Sequence, residues 1–214
     1  MSKKKKQLID FSKSLADAAE TAGSATVMVM GRKRMPSSGI LFAPDLILTA
    51  EHAVQRDNDL MVQLAGGSRF PAEVLGRDPG SDLAVLRIAD GEGIHAEILQ
   101  EDVRVGELVL ALGRPSTSGI EASLGVISAV DGPVRTRRGG MVEKYIRTDA
   151  VPLPGFSGGP LVSVNGDIIG INTSGLTHGS LLTIPAEVAW KIANNLADHG
   201  SIKRGYLGIR SQLV

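Results

Sequence analysis

The sequence predicts an all-β fold built as two successive strand units, with a helix at the N-terminal end and another at the C-terminal end. Three observations predict it. The 214 residues carry 26 glycines and 10 prolines, enough turn formers for many short strands. Their apolar residues fall in short runs cut by Gly, Pro, Asp and Asn. Helical spacing of apolar residues is confined to the two ends of the chain.

At the N-terminal end, Leu8, Phe11, Leu15, Ala18 and Ala19 recur at three- and four-residue intervals, predicting a helix from Leu8 to about Ala22. The lysines from Lys3 to Lys6 ahead of it read as a solvated tail. Short apolar runs then follow at 25–30, 39–42, 46–49, 60–64, 72–75, 83–88 and 108–112. A second set lies at 122–130, 142–147, 161–164 and 167–172. Runs of this length and spacing are the strands of a sandwich or barrel. Asn165-Gly166 between two apolar runs predicts a hairpin with positive φ at both turn residues. Pro185 opens a helix with Val188, Ile192 and Leu196 on one face, and Gly200 closes it. The chain thus divides into a basic tail and helix over 1–23, a first β unit over 24–112, a second over 113–184, and a helix with an exit segment over 185–214.

Composition removes several function classes. Twenty-three basic residues balance 23 acidic ones, so no global field draws the chain to nucleic acid. Aromatic residues make up 3%, which leaves Val, Ile, Leu and Ala to build the core. The absence of cysteine excludes disulfides, thiolate metal sites and a cysteine nucleophile. His95, His178 and His199 lack metal-ligand spacing, so no metal and no cofactor is expected. No apolar run approaches the about 20 residues of a membrane span. The lysines resemble the start of a signal peptide, but Asp10, Lys13 and Asp17 break the apolar stretch that should follow. The sequence as written therefore reads as cytoplasmic; an extracytoplasmic place would need residues ahead of it.

Three segments carry chemistry. LILTAEHAV puts His52 just after an apolar strand, DPGSDLAVLRI puts Asp82 at the mouth of another, and PGFSGGPLV surrounds Ser157 with Gly155, Gly158 and Gly159. Amide hydrolysis at neutral pH needs a nucleophile, a base for its proton and a group that orients the base. A hydroxyl is hardly ionised at pH 7, whereas a neutral imidazole can take its proton and return it. A carboxylate on the other ring nitrogen fixes the tautomer. Glycines beside the serine let backbone N–H groups converge on one point, where a tetrahedral oxyanion can be held. The order His, Asp, Ser along the chain is that of the chymotrypsin triad.

TAEHAV, SDLAVLRI, TDAVPLPGFSGGPLV and DIIGINTSG together resemble the signature blocks of HtrA-type proteases in the trypsin-like superfamily. The resemblance covers most of the chain from about Ala25 to Ile209. It implies two six-stranded antiparallel β-barrels with the triad His52, Asp82 and Ser157 in the cleft between them. It implies an oxyanion hole from the backbone N–H groups of Gly155 and Ser157, with Phe156 between them. Ile171, Asn172, Thr173 and Ser174 resemble the edge strand that pairs with an extended substrate. Pro152 and Ile171 fall where such proteases line the pocket for the residue before the cut. With no acidic residue in those stretches, that pocket should take Val, Ala or Leu. The expected partners are protein or peptide substrates, and copies of the chain in a homotrimer through Leu8, Phe11 and Leu15.

The chain departs from the family at two places. Phe156 stands where Asn is usual, and Gly113-Arg114-Pro115-Ser116-Thr117 replaces a Gly-Asn-Pro-Phe-Gly segment. A bulky ring at 156 must pack against a neighbouring loop or lie exposed, and either outcome would couple the hole to that loop. At least some ligand-free molecules are then expected to hold the Gly155–Phe156 peptide mis-set, with competence restored by substrate or by ordering of the loop over 135–144. The family usually continues into a PDZ domain, and the segment Gly205-Tyr206-Leu207-Gly208-Ile209 resembles the exit toward it. Two other readings stand beside the protease. A catalytically silent peptide-binding or scaffolding module would keep the fold without the reaction. Gly155-Phe156-Ser157-Gly158-Gly159 also fits the elbow of an α/β-hydrolase, but Gly-Gly-Pro and a hairpin follow Ser157 where that fold needs a helix.

Overall fold

The computed structural model describes residues 3–33, 35–89, 93–136, 139–176 and 181–202. His178 and the exit segment from 203 onward lie outside them. Helix α1, Lys3–Ala25, leads into β1 (Thr26–Met30), β2 (Ser37–Ala43), β3 (Leu46–Ala50), β4 (Leu60–Gln63), β5 (Arg69–Asp78) and β6 (Leu83–Ile88). These six strands close a barrel in the order β1-β2-β3-β6-β5-β4. The second set is β7 (Leu108–Ser116), β8 (Gly119–Asp131), a small ribbon β9 (Val134–Arg135) and β10 (Met141–Val142), then β11 (Tyr145–Thr148), β12 (Pro160–Val162), β13 (Ile168–Thr173) and β14 (Leu182–Pro185). It closes a second barrel in the order β11-β14-β13-β12-β7-β8, and helix α2, Ala186–His199, follows it. The architecture is the expected pair of six-stranded antiparallel barrels with a helix at each end. Strand β7 begins at Leu108, inside the stretch assigned to the first unit, and runs in the second barrel.

Each barrel is filled by the side chains of alternate strand positions. Val27, Val29, Leu41, Ile47, Leu60, Val62, Leu86 and Ile88 fill the first. Val109, Ala111, Ile127, Ile146, Leu161 and Ile169 fill the second together with the Phe156 ring. The opposite faces of the inner strands supply a third cluster: Ile40, Leu48, Leu83 and Val85 from the first barrel meet Leu112, Val162, Ile171 and Ile184 from the second. Strands β3, β6 and β13 are therefore apolar on both faces, which is why their sequences read as continuous runs. Burying one Leu or Ile is worth about 1.5–3 kcal/mol, so this shared layer holds the two barrels together.

Helix α2 seals one side of that layer with Ala186, Ala189, Ala193 and Leu196. Gly200 closes it in the left-handed region at φ 74°, its N–H donating to Leu196 O at 2.9 Å. Helix α1 is longer at both ends than its apolar spacing predicts: the lysines extend it at the start and residues 23–25 at the end. Leu15, Ala18, Ala19 and Ala22 pack on the shared layer, whereas residues 3–14 are exposed throughout. Leu15, expected to face another copy, thus meets the chain's own core. The hairpin at Asn165-Gly166 also differs from expectation. Only Gly166 has positive φ, at 91°. Its N–H donates to Ser163 O at 3.1 Å, and Ser163 N–H to Asp167 O at 2.9 Å. That is a single right-handed turn closed by one left-handed glycine, the loop that carries a bulge. Consistently, the β12–β13 register shifts between Leu161 and Val162.

Candidate active site

His52 sits in a single 3-10 turn, Glu51–Ala53, directly after β3. Asp82 immediately precedes β6, and the pairing of Ala50 with Leu83 brings the two chain segments together. Three contacts stitch them: Glu51 N–H to Asp82 O at 2.9 Å, His52 N–H to Asp82 Oδ1 at 2.9 Å, and His52 Nδ1 to Asp82 Oδ2 at 2.6 Å. The chain reaches Asp82 through a tight turn organised by Asp78. The Asp78 carboxylate accepts from Gly80 N–H at 3.2 Å, Ser81 N–H at 3.1 Å and Ser81 Oγ at 2.6 Å. Asp82 itself lies in the left-handed region at φ 58°, which Asp tolerates better than most residues. From beyond β9, Thr136 Oγ1 donates to Gly80 O at 2.9 Å and braces the turn.

Asp82 is 1% exposed. Burial alone would push its carboxyl pKa up. Against that act the His52 side-chain hydrogen bond, the His52 charge, the Thr173 hydroxyl and the His52 backbone N–H, and together they hold the carboxyl below its ordinary value. The net effect favours the ionised carboxylate. The His52 side chain is 21% exposed and opens onto a depression of about 620 Å³ lined with Glu51, Val54, Gln55, Asp57 and Arg77.

Ser157 follows a Pro-Gly turn in which Phe156 N–H donates to Leu153 O at 3.1 Å. Gly155 has φ 86°, the left-handed geometry that such a turn requires of its third residue. The backbone N–H groups here divide cleanly. Those of Phe156, Gly158 and Gly159 donate to Leu153 O, Asn172 O and Phe156 O at 3.1, 2.8 and 2.9 Å. Those of Gly155 and Ser157 meet no acceptor among the described residues. Two free donors flanking the nucleophile candidate are what an oxyanion hole needs. The Phe156 ring does not lie exposed: it is fully buried among the side chains that fill the second barrel.

The structure brings the site residues together unequally. Ser174 Oγ lies 3.0 Å from Ser157 Oγ, and this is the hydrogen bond the Ser157 hydroxyl makes among the described residues. A Cβ on the next residue, Gly175, would fall 2.7 Å from His52 Nδ1, so the segment after β13 crosses directly over the His52–Asp82 pair. Thr173, expected to pair with substrate, turns its buried hydroxyl onto Asp82 Oδ2. Asn172 is buried as well, its Nδ2 donating to Pro160 O at 2.8 Å and its Oδ1 accepting from Thr183 Oγ1 at 2.7 Å. Ile171 packs in the layer between the barrels rather than in a pocket. On one edge of β13, Ile171 to Thr173 pair with Ile184 to Leu182; on the other, the pairing with β12 ends at Ile171, and the Asn172 backbone bonds Gly158 N–H and Gly159 O. Pro152 is exposed beside the loop that leads to Gly155.

A scan of family models matches residues 37–171 to a trypsin-like peptidase domain. Among curated proteins, the chain is 35% identical over 190 residues to a probable periplasmic serine endoprotease DegP-like protein of Halomonas elongata, covering 85% of this chain and 39% of that one. It is also 35% identical to the periplasmic serine endoprotease DegP of Salmonella typhimurium, over 80% of this chain and 38% of that one. The chain therefore spans about two fifths of the length of these relatives. Among solved structures, a variant of the HtrA-type protease AlgW with a tripeptide superposes with a TM-score of 0.79 at 30% identity, covering 94% of this chain and 69% of that one. The serine endoprotease from Yersinia pestis gives 0.77 at 32% identity, covering 92% and 71%. The relatives' names correct the cytoplasmic expectation, since both curated proteins are periplasmic. That expectation rested on charges breaking an apolar stretch, and those charges belong to helix α1 of the folded domain, which has no bearing on compartment. No helix among the described residues is long and apolar enough to cross a membrane.

Proposed function

The chain belongs to the trypsin-like peptidase family, in its HtrA-type branch, and on that premise we propose that it is a serine endopeptidase acting on unfolded or flexible proteins. The observation that carries the proposal is the buried Asp82 carboxylate 2.6 Å from His52 Nδ1. A peptide-binding module without catalysis has no use for an ionised carboxylate buried against an imidazole; a general base does.

In this reading Ser157 Oγ attacks the scissile carbonyl and passes its proton to His52 Nε2. To do so the hydroxyl turns from Ser174 toward the imidazole. Asp82 Oδ2 holds the Nδ1 proton and stabilises the imidazolium. The oxyanion sits against the free N–H groups of Gly155 and Ser157, donors worth about 3 kcal/mol each in the transition state. His52 then gives its proton to the departing amine, which leaves an acyl ester on Ser157. Water activated by His52 releases the acid and restores the serine. The extended substrate pairs with the open edge of the chain at Thr173 and Ser174. Its residue before the cut lies near Pro152, where the stretch 151–155 is apolar and free of carboxylates, so Val, Ala or Leu is preferred.

The likeness to periplasmic relatives supports action outside the cytoplasm. Leu8 and Phe11, 71% and 45% exposed on the part of α1 that leaves the barrels, support a homotrimer in which copies of the chain cover them. A fluorophosphonate probe tests the catalytic reading: it should label the parent protein at Ser157 and fail on His52→Ala. Equal labelling of both proteins would refute the role of His52.

A further inference from the structure

Ser38 lies at the start of β2, is fully buried, and touches both ends of the Gly155–Ser157 segment. Its N–H donates to Ser157 O at 3.2 Å, and its hydroxyl donates to Gly155 O at 2.8 Å. The same hydroxyl accepts from Arg114 N–H at 2.8 Å, so its one proton has a defined direction. The Arg114 side chain then continues away from the site. It donates from Nε to Thr26 O and from Nη2 to Gly23 O, both at 2.8 Å, at the junction of helix α1 and strand β1.

Arg114 is 9% exposed, and no carboxylate among the described residues pairs with its guanidinium. Burial lowers its pKa, yet a guanidinium remains charged. A cation without an acid partner is stabilised here by the carbonyl end of a long helix, where the macrodipole is negative and carbonyls lack intrahelical donors. The arrangement is therefore a hydrogen-bonded line from the end of α1, through Arg114 and Ser38, to the Gly155 carbonyl.

That carbonyl belongs to the Gly155–Phe156 peptide, whose N–H is already held by Leu153 O. With both of its ends pinned, this peptide cannot rotate, and the left-handed φ of Gly155 then fixes where the Gly155 N–H points. Neighbouring Phe156 O is held by Gly159 N–H at 2.9 Å, which sets the Ser157 N–H in the same way, since the C=O and N–H of a trans peptide point oppositely. We propose that Ser38 and Arg114 are positioning residues that set the two oxyanion donors and make their setting depend on the docking of helix α1. The inference rests on the serine peptidase reading and extends it: the N-terminal helix is a structural input to the oxyanion hole.

The test compares the parent with Ser38→Ala, Ser38→Cys, Arg114→Met and Arg114→Lys, each in the full chain. Peptide hydrolysis gives kcat and KM, and a peptide boronic acid, which forms a tetrahedral adduct on serine, reports the oxyanion site. Ser38→Ala and Arg114→Met should lower kcat by about ten- to a hundredfold, short of the loss of a whole donor. They should leave KM within about twofold and weaken boronate inhibition by the same factor as kcat. Arg114→Lys, which keeps the cation at the helix end, should recover part of the loss, and Ser38→Cys, a weaker donor, should fall between Ser38→Ala and the parent. If Ser38→Ala does not fold, the two Arg114 variants carry the test. Values of kcat within twofold of the parent overturn the positioning role while leaving the peptidase reading intact. So does a loss in which KM rises by as much as kcat falls. A parent protein that neither hydrolyses peptide nor binds boronate overturns the peptidase reading, and the positioning role with it.

Discussion

Thr173 donates its hydroxyl to Asp82 Oδ2, the same carboxylate oxygen that holds His52 Nδ1. Asp82 Oδ1 is taken by the His52 backbone N–H, so both oxygens of this buried ion are occupied by donors. The arrangement keeps the carboxylate charged and fixes its plane, and through it the imidazole. Thr173→Val removes one donor without changing the shape of the side chain. We expect kcat/KM to fall by about tenfold, the value of a hydrogen bond to a charged group, while KM holds. Unchanged steady-state kinetics would show that the His52 contacts alone suffice.

The same contacts predict a pH dependence of stability. Asp82 has a folded-state pKa below its ordinary value, so the unfolded chain binds the proton more readily. Its stabilising contribution is therefore present above the unfolded value of about 3.9 and is lost as pH falls through the lower folded value. Denaturant unfolding of the parent and Asp82→Asn should show the difference between them shrinking as pH is lowered from about 6 toward about 3. A difference that grows in acid would reverse the sign of the shift and refute it.

Among the described residues Phe156 is the largest fully buried side chain, and it fills the second barrel directly beside the nucleophile candidate. Phe156→Ala should cost about 3–5 kcal/mol of stability, the range for emptying a packed aromatic site. A loss under about 1 kcal/mol in equilibrium unfolding would mean that the ring does not fill the barrel in this way.

Much of the fold was legible in the sequence, and the misses have physical reasons. Short apolar runs, glycine punctuation and two terminal periodic stretches were enough for the strands and helices. His52, Asp82 and Ser157 stood out because each lies in a block of distinctive neighbours. The places of Ile171 and Asn172 did not, because β13 is buried on both faces and a strand of that kind does not reveal which face meets the core. Two further contacts were invisible for another reason. Ser38 and Gly155 are 117 residues apart, and Arg114 and Gly23 are 91 apart, so no local pattern pairs them. Asp78 could have been read, since Asp-Pro-Gly is a turn signal in which Asp caps the following N–H groups.

The pocket proposed at the apolar stretch 151–155 makes a prediction about substrate choice. Profiling with a peptide library should give cleavage after Val, Ala or Leu. Dominant cleavage after Lys or Arg would require a carboxylate in the pocket and would move the pocket elsewhere.

The attack of Ser157 on the peptide bond is tested most directly by casein digestion with the parent and Ser157→Ala. The substitution removes one hydroxyl whose partner, Ser174, is exposed, so the melting temperature should stay within about 2 °C of the parent, as for a loss of less than about 1 kcal/mol. The parent should digest casein, and the variant should lose at least about a thousandfold, as expected when the triad nucleophile is deleted. Activity of the variant within tenfold of the parent, with both proteins folded, would contradict the role of Ser157 as the nucleophile.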